Sequence, residues 1–578
     1  MTTPRSFSKR KTASTPLLLA LVVLIFGMVT VSLWIGIRGA SAASELSTAR
    51  SFASALRTEM VDGNVQDATT TLGRAATHTQ AAVLLTSDPV WRAVELVPVV
   101  GSNLSAVRVS AQAVDDLVTE VAATLLPLAG ELNASSFAGT SIPLEPLQEM
   151  APGATKARDA AEAIAGRVAE IETGSTLPFV RKAVTELTDL VGDVTTTVQS
   201  IQRATALMPG MLGADGQRNY LVLFQNSAEL RASGGVSGAT AVLAASGGNL
   251  ALAAQKSIMD YPVLPEPALP LSPVEVELYS TLLARQIQDV NRTPDFSRTG
   301  AIAKTMAEPV VGMRIDGVVT IDPYVLSYVL TATGPVRLDN GAILSSDNAV
   351  QMLLSDIYDT VKQPADQDRF FASVARAAFT ALNSDTVNPA RLLSAIVRAG
   401  DEGRIRIWSA DGAEQSALAE TTLAAVPDES DPVLGVYLND ATGAKMSFYL
   451  DRFVTVSCER VGVQRVTVQL TNEAPADAAT SLPAFVTGGS LFGVPAGSIR
   501  TQVLIALPPG ARLITRDGVS LTSVQDAAGH VIVSGFVDVK PGESGQIAVS
   551  YSNAVPSRVD TTPGLTVNSL ARGEARCS

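Results

Sequence analysis

Residues 219–235 read NYLVLFQNSAELRASGG, and the fold of the middle of the chain turns on this stretch. Tyr220 to Phe224 form an unbroken apolar and aromatic run, the pattern of a buried strand. Within seven residues the chemistry changes to Asn226, Glu229 and Arg231, followed by Ser233-Gly234-Gly235. A polar cluster with a glycine pair at the end of a buried strand is either a ligand site or an ordinary turn. Glycines admit a ligand to backbone N–H groups, and arginine offers a fork suited to phosphate. In an open α/β sheet, ligands bind at the carboxyl ends of strands, which is where this cluster falls. The spacing is that of neither a Walker loop nor a dinucleotide fingerprint.

Outward from this stretch, residues 207–425 alternate strand-like runs (220–224, 239–244, 317–321) with helical ones (274–289, 300–311, 323–331, 346–358, 366–382). This predicts an α/β domain, a central sheet covered by helices. Two further polar clusters stand in it. Asp289-Val290-Asn291-Arg292-Thr293-Pro294-Asp295 joins two carboxylates to an arginine, and Arg314-Ile315-Asp316-Gly317 leads into the strand that ends at Asp322-Pro323. Paired carboxylates suit a divalent metal and arginines a diphosphate. The plainer reading makes Asp322-Pro323 a helix start, with Asp as cap and Pro in the first turn, and Asp316-Gly317 a turn.

The chain has 578 residues, 46% hydrophobic and 17% charged, which indicates a folded protein of several domains. Its net charge of −13 argues against a nucleic-acid partner. Arg5, Lys9, Arg10 and Lys11 precede TPLLLALVVLIFGMVTVSLWIGI at 15–37, which carries no charge. That run makes roughly 35 Å of helix, enough to cross a bilayer. The reading is a cytoplasmic basic tail at 1–14, a single transmembrane helix at 15–37, and everything beyond outside the cell by the positive-inside rule. A cleaved signal peptide is the alternative, with Gly39-Ala40-Ser41-Ala42-Ala43 as cleavage site, although its apolar core would be about 7–15 residues.

Residues 38–206 read as an extracellular helical bundle or stalk. Val184, Leu187, Val191, Val194, Val198 and Ile201 follow a 3-4 spacing, and similar stripes run through Val107–Leu125 and Ala161–Ile171. Residues 431–578 carry short runs (447–450, 465–470, 501–506, 531–537, 546–551) between Pro and Gly turns. They predict an antiparallel β-sandwich of immunoglobulin-like type. Cys458 and Cys577 would pair in an oxidising exterior; two lone buried thiols are the alternative. His78 and His530 stand far apart, which disfavours a zinc site and a His-based triad.

NYLVLFQNSAELRASGG, DVNRTPDF at 289–296 and RIDGVVTIDPYVLSYVLTATGPV at 314–336 closely resemble the bacterial domain-of-unknown-function 4012 family. VPVVGSN at 97–103 and LNDATGAKMSFYLD at 438–451 match the same pattern. That family is known mainly from Gram-positive bacteria and has no settled activity. More distantly, the order of parts in the middle domain resembles the LytR-CpsA-Psr phosphotransferases of Gram-positive envelopes, with Arg369 and Arg376 in the last of the corresponding helices. In those enzymes arginines hold the diphosphate of a polyprenyl-linked glycan and Asp residues bind Mg²⁺. The glycan phosphate then passes to peptidoglycan. Such chemistry rests on positioning and charge neutralisation and needs no histidine. The resemblance implies Arg231, Asp289, Arg292 and Asp295 as catalytic residues. Asn226, Glu229, Gly234 and Gly235 become ligand contacts, with Mg²⁺ as cofactor and polyprenyl-linked glycan or peptidoglycan as partner. Asn226 stands where those enzymes carry Asp, and Arg231-Ala232-Ser233 lacks the acid of their turn. A degenerate relative that binds wall polymer or lipid-linked glycan without transferring it is therefore an alternative, and a non-catalytic structural or adhesion-like surface protein is the rival expectation. The enzymatic reading expects these residues to converge on one pocket beside an apolar groove.

Overall fold

The computed structural model describes residues 15–569 apart from 62–63, 99, 135–140, 383, 385–386, 425–432, 519, 555 and 557. The basic tail at 1–14 and Cys577 lie outside the described residues. The chain divides into two compact units.

The first unit takes in the chain up to Ser135 and Glu145–Ala206. Its helices are α1 (Thr15–Val61), α2 (Val65–Thr86), α3 (Pro89–Val94), α4 (Gly101–Asp116), α5 (Ala123–Ala134), α6 (Leu144–Ala169) and α7 (Pro178–Met211), with a π-helical stretch at Leu117–Ala122 between α4 and α5. The stripes read from the sequence are the packing surface. Leu187, Val191 and Val198 of α7 meet Ala157, Ala161, Ile164 and Val168 of α6 and Leu117 and Val121 in one core. Asp88 caps α3 by accepting from the N–H groups of Val90 and Trp91, with Pro89 at the first helical position. Trp91 is buried and donates its indole N–H to the Leu104 carbonyl at 3.2 Å. The segment expected to span a membrane at 15–37 is the first part of α1, which continues unbroken to Val61. Among the described residues, Phe26–Leu56 of this helix is the one stretch long and apolar enough to cross a membrane.

The second unit comprises Ser136–Leu144 and Leu207–Ser578. Its first sheet contains β1 (Arg218–Arg231), β2 (Gly234–Ser246), β3 (Asn249–Ser257), β4 (Gly317–Ile321) and, later in the chain, β7 (Arg406–Ser409); a two-stranded hairpin, β5 (Val336–Arg337) with β6 (Ile343–Leu344), stands apart. The order is β3-β2-β1-β4-β7, with β1 and β4 parallel and the other pairs antiparallel. Alternation along β4 puts helices on both faces. Val318 shares a core with Leu221 and Leu223 of β1, with Leu278 of α8 (Pro273–Tyr279) and with Ile302, Ala303 and Met306 of α9 (Phe296–Val311). Val319 and Ile321 pack instead with Val325 and Val329 of α10 (Pro323–Thr333) and Ala399 of the helix Pro389–Asp401.

Ten further strands follow: β8 (Val433–Asp440), β9 (Leu450–Arg460), β10 (Val463–Asn472), β11 (Ile499–Ala506), β12 (Arg512–Asp517), β13 (Thr522–Gln525), β14 (Val531–Val539), β15 (Ser544–Ser552), β16 (Arg558–Thr561) and β17 (Thr566–Ser569). They form two five-stranded sheets, β12-β15-β10-β9-β17 and β13-β14-β11-β8-β16. Val436 and Leu438 of β8, Val503 of β11 and Val533 of β14 share one core with Val454 of β9, Val466 and Val468 of β10 and Val549 of β15.

Three expectations change. The sandwich is not antiparallel throughout: β16 runs parallel to β8 and β17 parallel to β9, because the chain crosses from one sheet to the other between them. Residues 447–450 are mostly a 3₁₀ turn, Met446–Tyr449. The helix expected at 274–289 stops at Tyr279, where Ser280 takes φ +58°, and short 3₁₀ turns at Thr281–Ala284 and Ile287–Asp289 replace it.

The polar half of the opening stretch is strand, not turn. β1 runs to Arg231, and its register against β2 jumps from Asn226↔Val236 to Leu230↔Gly235, so residues 227–229 bulge out unpaired. Leu221 and Leu223, before the bulge, lie in the α/β core; Leu230, after it, lies in the sandwich core. Tyr437 and Leu504 reach the other way. Gly235 permits the bulge, since a Cβ there would lie 2.3 Å from the Asn226 carbonyl carbon and oxygen. Gly235→Ala should therefore destabilise the protein by about 1–3 kcal/mol. Gly238→Ala, on the same strand with open space around it, should stay within about 0.5 kcal/mol. Urea unfolding of the two variants checks this, and equal midpoints would refute the role of Gly235.

Candidate functional site

The bulge in β1 carries Glu229 and ends on Arg231, which is 5% exposed. Each guanidinium nitrogen is engaged. Nε and Nη2 donate to Asp289 Oδ1 at 3.1 and 2.9 Å, Nη2 also to Glu229 Oε1 at 3.0 Å, and Nη1 to the Leu230 carbonyl at 3.0 Å. Glu229 Oε2 faces Lys445 Nζ at 3.5 Å. The Lys445 ammonium lies 5.4 Å from the ring centre of Tyr358 and 5.2 Å from that of Phe485. Asn226 donates to the Tyr358 hydroxyl, while its Oδ1 accepts from the Ala228 N–H at 3.0 Å and braces the bulge.

The loop at 289–293 is strapped to the β1–β2 hairpin. The Ser233 N–H donates to the Asn291 carbonyl at 3.2 Å, the Ser233 hydroxyl to the Thr293 carbonyl at 2.6 Å, and the Asn291 side chain to the Gly235 carbonyl. From the sandwich, Asn439 accepts from the Ala232 N–H at 3.0 Å and donates to the Arg292 carbonyl at 3.1 Å. The next residue, Asp440, is buried; its Oδ2 accepts from the Gly443 N–H at 2.7 Å, while Oδ1 has no partner.

The charges are interdependent. Burial alone would raise the Glu229 carboxyl, but Arg231 and Lys445 outweigh it and hold it below its ordinary range. Burial likewise opposes the Arg231 charge, and Glu229 and Asp289 overcome it. Arg292 has no such pair. Burial and the nearby Arg231 lower its pKa, and its Nε is buried without a partner. Burial, reinforced by Glu229, raises the Asp440 carboxyl to about 6.

The structure thus brings Arg231, Glu229 and Asp289 into one buried network, with Asn226 on the same strand and Arg292 beside it. Asp295 does different work: its side chain accepts from the Arg298 N–H at 3.1 Å and caps α9. Asp322 caps α10 through the Val325 N–H at 2.9 Å and also binds Arg404. Gly234, at φ +136°, and Gly235 serve the hairpin backbone. Lys445, Asn439, Asp440 and Tyr358 went unread as site residues. The first three lie within LNDATGAK, 438–445, whose polar positions were visible in the sequence, but nothing local ties them to residue 231. Cys458 is disulfide-bonded.

Residues 215–358 match the family described as "Protein of unknown function (DUF4012)". The match covers this segment of the chain and not the remainder. Comparison with curated proteins and with solved structures yields no match. The DUF4012 segment begins just before β1 and ends on Tyr358, so it contains Asn226, Glu229, Arg231, Asp289 and Arg292 but not their sandwich partners Asn439, Asp440 and Lys445.

Asp440 gives the protein a defined pH response. Its folded carboxyl keeps a proton up to about pH 6, whereas the unfolded one releases it near ~3.9. The folded state binds the extra proton between those values, so stability falls as pH rises from about 4 to 6, by up to about 3 kcal/mol. Glu229, with its lowered pKa, acts in the opposite sense, losing stability as pH drops through the carboxylate range. Asp440→Asn should flatten the fall between pH 4 and 6, read from urea midpoints across that range; an unchanged slope would remove Asp440 from the account.

Proposed function

We propose that this protein is held in the membrane by the apolar part of α1, with its basic tail in the cytoplasm, and presents its second unit in the cell envelope as a non-catalytic structural or binding head. The saturation of Arg231 carries this reading. Its three guanidinium nitrogens are all engaged by the protein, which leaves none to grip a substrate diphosphate. The carboxylates are equally committed: Glu229 to Arg231 and Lys445, Asp289 to Arg231, and Asp295 to a helix end. No group of three His, Cys, Asp or Glu suited to a metal occurs among the described residues. This donor set does not fit Mg²⁺. The two five-stranded sheets around a common core support an immunoglobulin-like contact module.

The rival reading is a LytR-CpsA-Psr-like transfer of phosphate-linked wall glycopolymer to peptidoglycan. What favours it is Arg292, a buried cation beside Arg231 whose Nε lacks a partner. Two measurements separate the readings. The full chain in detergent, given Mg²⁺ and a polyprenyl-diphosphate glycan, should transfer nothing. Arg231→Met should lower stability by about 3–5 kcal/mol, because it strands two buried carboxylates. Transfer activity that Arg231→Lys abolishes without changing the melting temperature would establish the rival. Orientation is checked by protease added outside intact cells, which should digest the second unit; full protection would overturn the topology.

A further inference from the structure

A second cationic cluster lies at the carboxyl end of β4, where the sheet meets the Pro563-Gly564 turn of the sandwich. Arg404 donates through Nη1 to Asp322 at 2.7 Å and through Nε to Glu402 at 2.7 Å, and it lies 3.8 Å from the ring centre of Tyr324. Two more arginines stand nearby, neither in an ion pair among the described residues. Arg452 donates through Nε to the Gly564 carbonyl at 3.1 Å, and its Nη1 is buried and unpartnered. Arg406 is 3% exposed; its Nε is buried and unpartnered, and among the described residues its side chain makes no hydrogen bond or ion pair.

These groups are close together. A Cβ placed on Gly564 would lie 2.8 Å from Arg452 Nη2 and 3.4 Å from Arg404 Nη2, and one on Gly403 would lie 3.2 Å from Arg406 Nη2 and 3.8 Å from Pro563. Gly403 and Gly564 have positive φ, +66° and +83°, and bring bare backbone up to the guanidinium groups. The neighbouring acids have partners: Asp322 and Glu402 hold Arg404, Asp560 accepts from the Tyr437 hydroxyl at 2.8 Å, and Asp451, whose charge supports Arg452 from a distance, accepts from the Arg452 backbone N–H at 3.0 Å. Burial, reinforced by Arg404, pulls Arg452 down to about 10. A buried guanidinium without an ion-pair partner is costly, and the unpartnered nitrogens of Arg406, beside Gly403, and of Arg452, beside Gly564 and Arg404, call for an anion. Arg452 is only partly buried, which opens the cluster to solvent. The carboxyl ends of strands in an open sheet are also where such ligands settle.

We propose that Arg404, Arg406 and Arg452 form a binding site for a phosphate-type oxyanion, either free or carried on a larger ligand. Arg404, fixed by Asp322 and Glu402, is the rigid wall; Arg406 and Arg452 supply the open donors. The site is independent of the Arg231 network and of the role proposed for the head.

The test is calorimetric titration of the full chain in detergent, at low salt, with inorganic phosphate and separately with a glycosyl 1-phosphate. Saturable binding is expected with Kd below about 1 mM, at least tenfold weaker in Arg406→Gln and in Arg452→Gln. Arg314→Gln, which alters a largely exposed side chain elsewhere, should bind as the unaltered chain does. Tighter binding of the sugar phosphate identifies a carried phosphate, and equal binding a free anion; either supports the site. Binding of neither anion overturns it, as does equal binding by the variants. If a Gln variant fails to fold, Arg452→Lys replaces it: the same anion must raise the melting temperature less than it does for the unaltered chain, and an equal rise overturns the site.

Discussion

The ion pair between Arg231 and Asp289, shared with Glu229, is the interaction on which the second unit depends. β1 contributes to both cores, with Leu221 and Leu223 before its bulge in one and Leu230 after it in the other. A largely buried strand must satisfy its polar groups where its ladder breaks, and it breaks at 227–229. Arg231 closes that break. It binds its own strand at Leu230, the bulge at Glu229 and the 289 loop at Asp289.

Buried ion pairs are weak sources of net stability, because taking the charges out of water offsets their attraction. They are strong determinants of arrangement, because misplacing one partner leaves a bare charge in a low dielectric. Here the arrangement is the seam between an α/β sheet and a two-sheet sandwich. Asn439 and Lys445 from the sandwich complete what β1 and the 289 loop begin. A slip of β1 by one residue would turn Leu230 out of the sandwich core and Arg231 away from Asp289 together. Hydrophobic and electrostatic requirements therefore select the same register.

Much of the local structure was legible. The 3-4 stripes of α6 and α7, the Asp-Pro start of α10 and the apolar run of β1 each follow from nearest neighbours along the chain. What misled was local too. Ser233-Gly234-Gly235 has the composition of a loop, yet Gly234 and Gly235 belong to β2, where the lack of a side chain lets the bulge close over them. The helix expected to continue to 289 ends at Ser280 because the following turns pack Leu283, Ala284 and Ile287 into the sheet's core, a demand that periodicity does not reveal.

The sequence by itself determined the elements and the presence of arginines and carboxylates near the end of β1, because propensity, capping and periodicity act over a few residues. Only the tertiary structure decided what those charges do. Arg231 and Asp289 are 58 residues apart, and Lys445 is 216 residues from Glu229. Whether an arginine faces solvent, substrate or a buried carboxylate depends on which distant segment fills the space in front of it. For Arg231 that space is filled by protein; for Arg406 and Arg452 no carboxylate among the described residues forms an ion pair there.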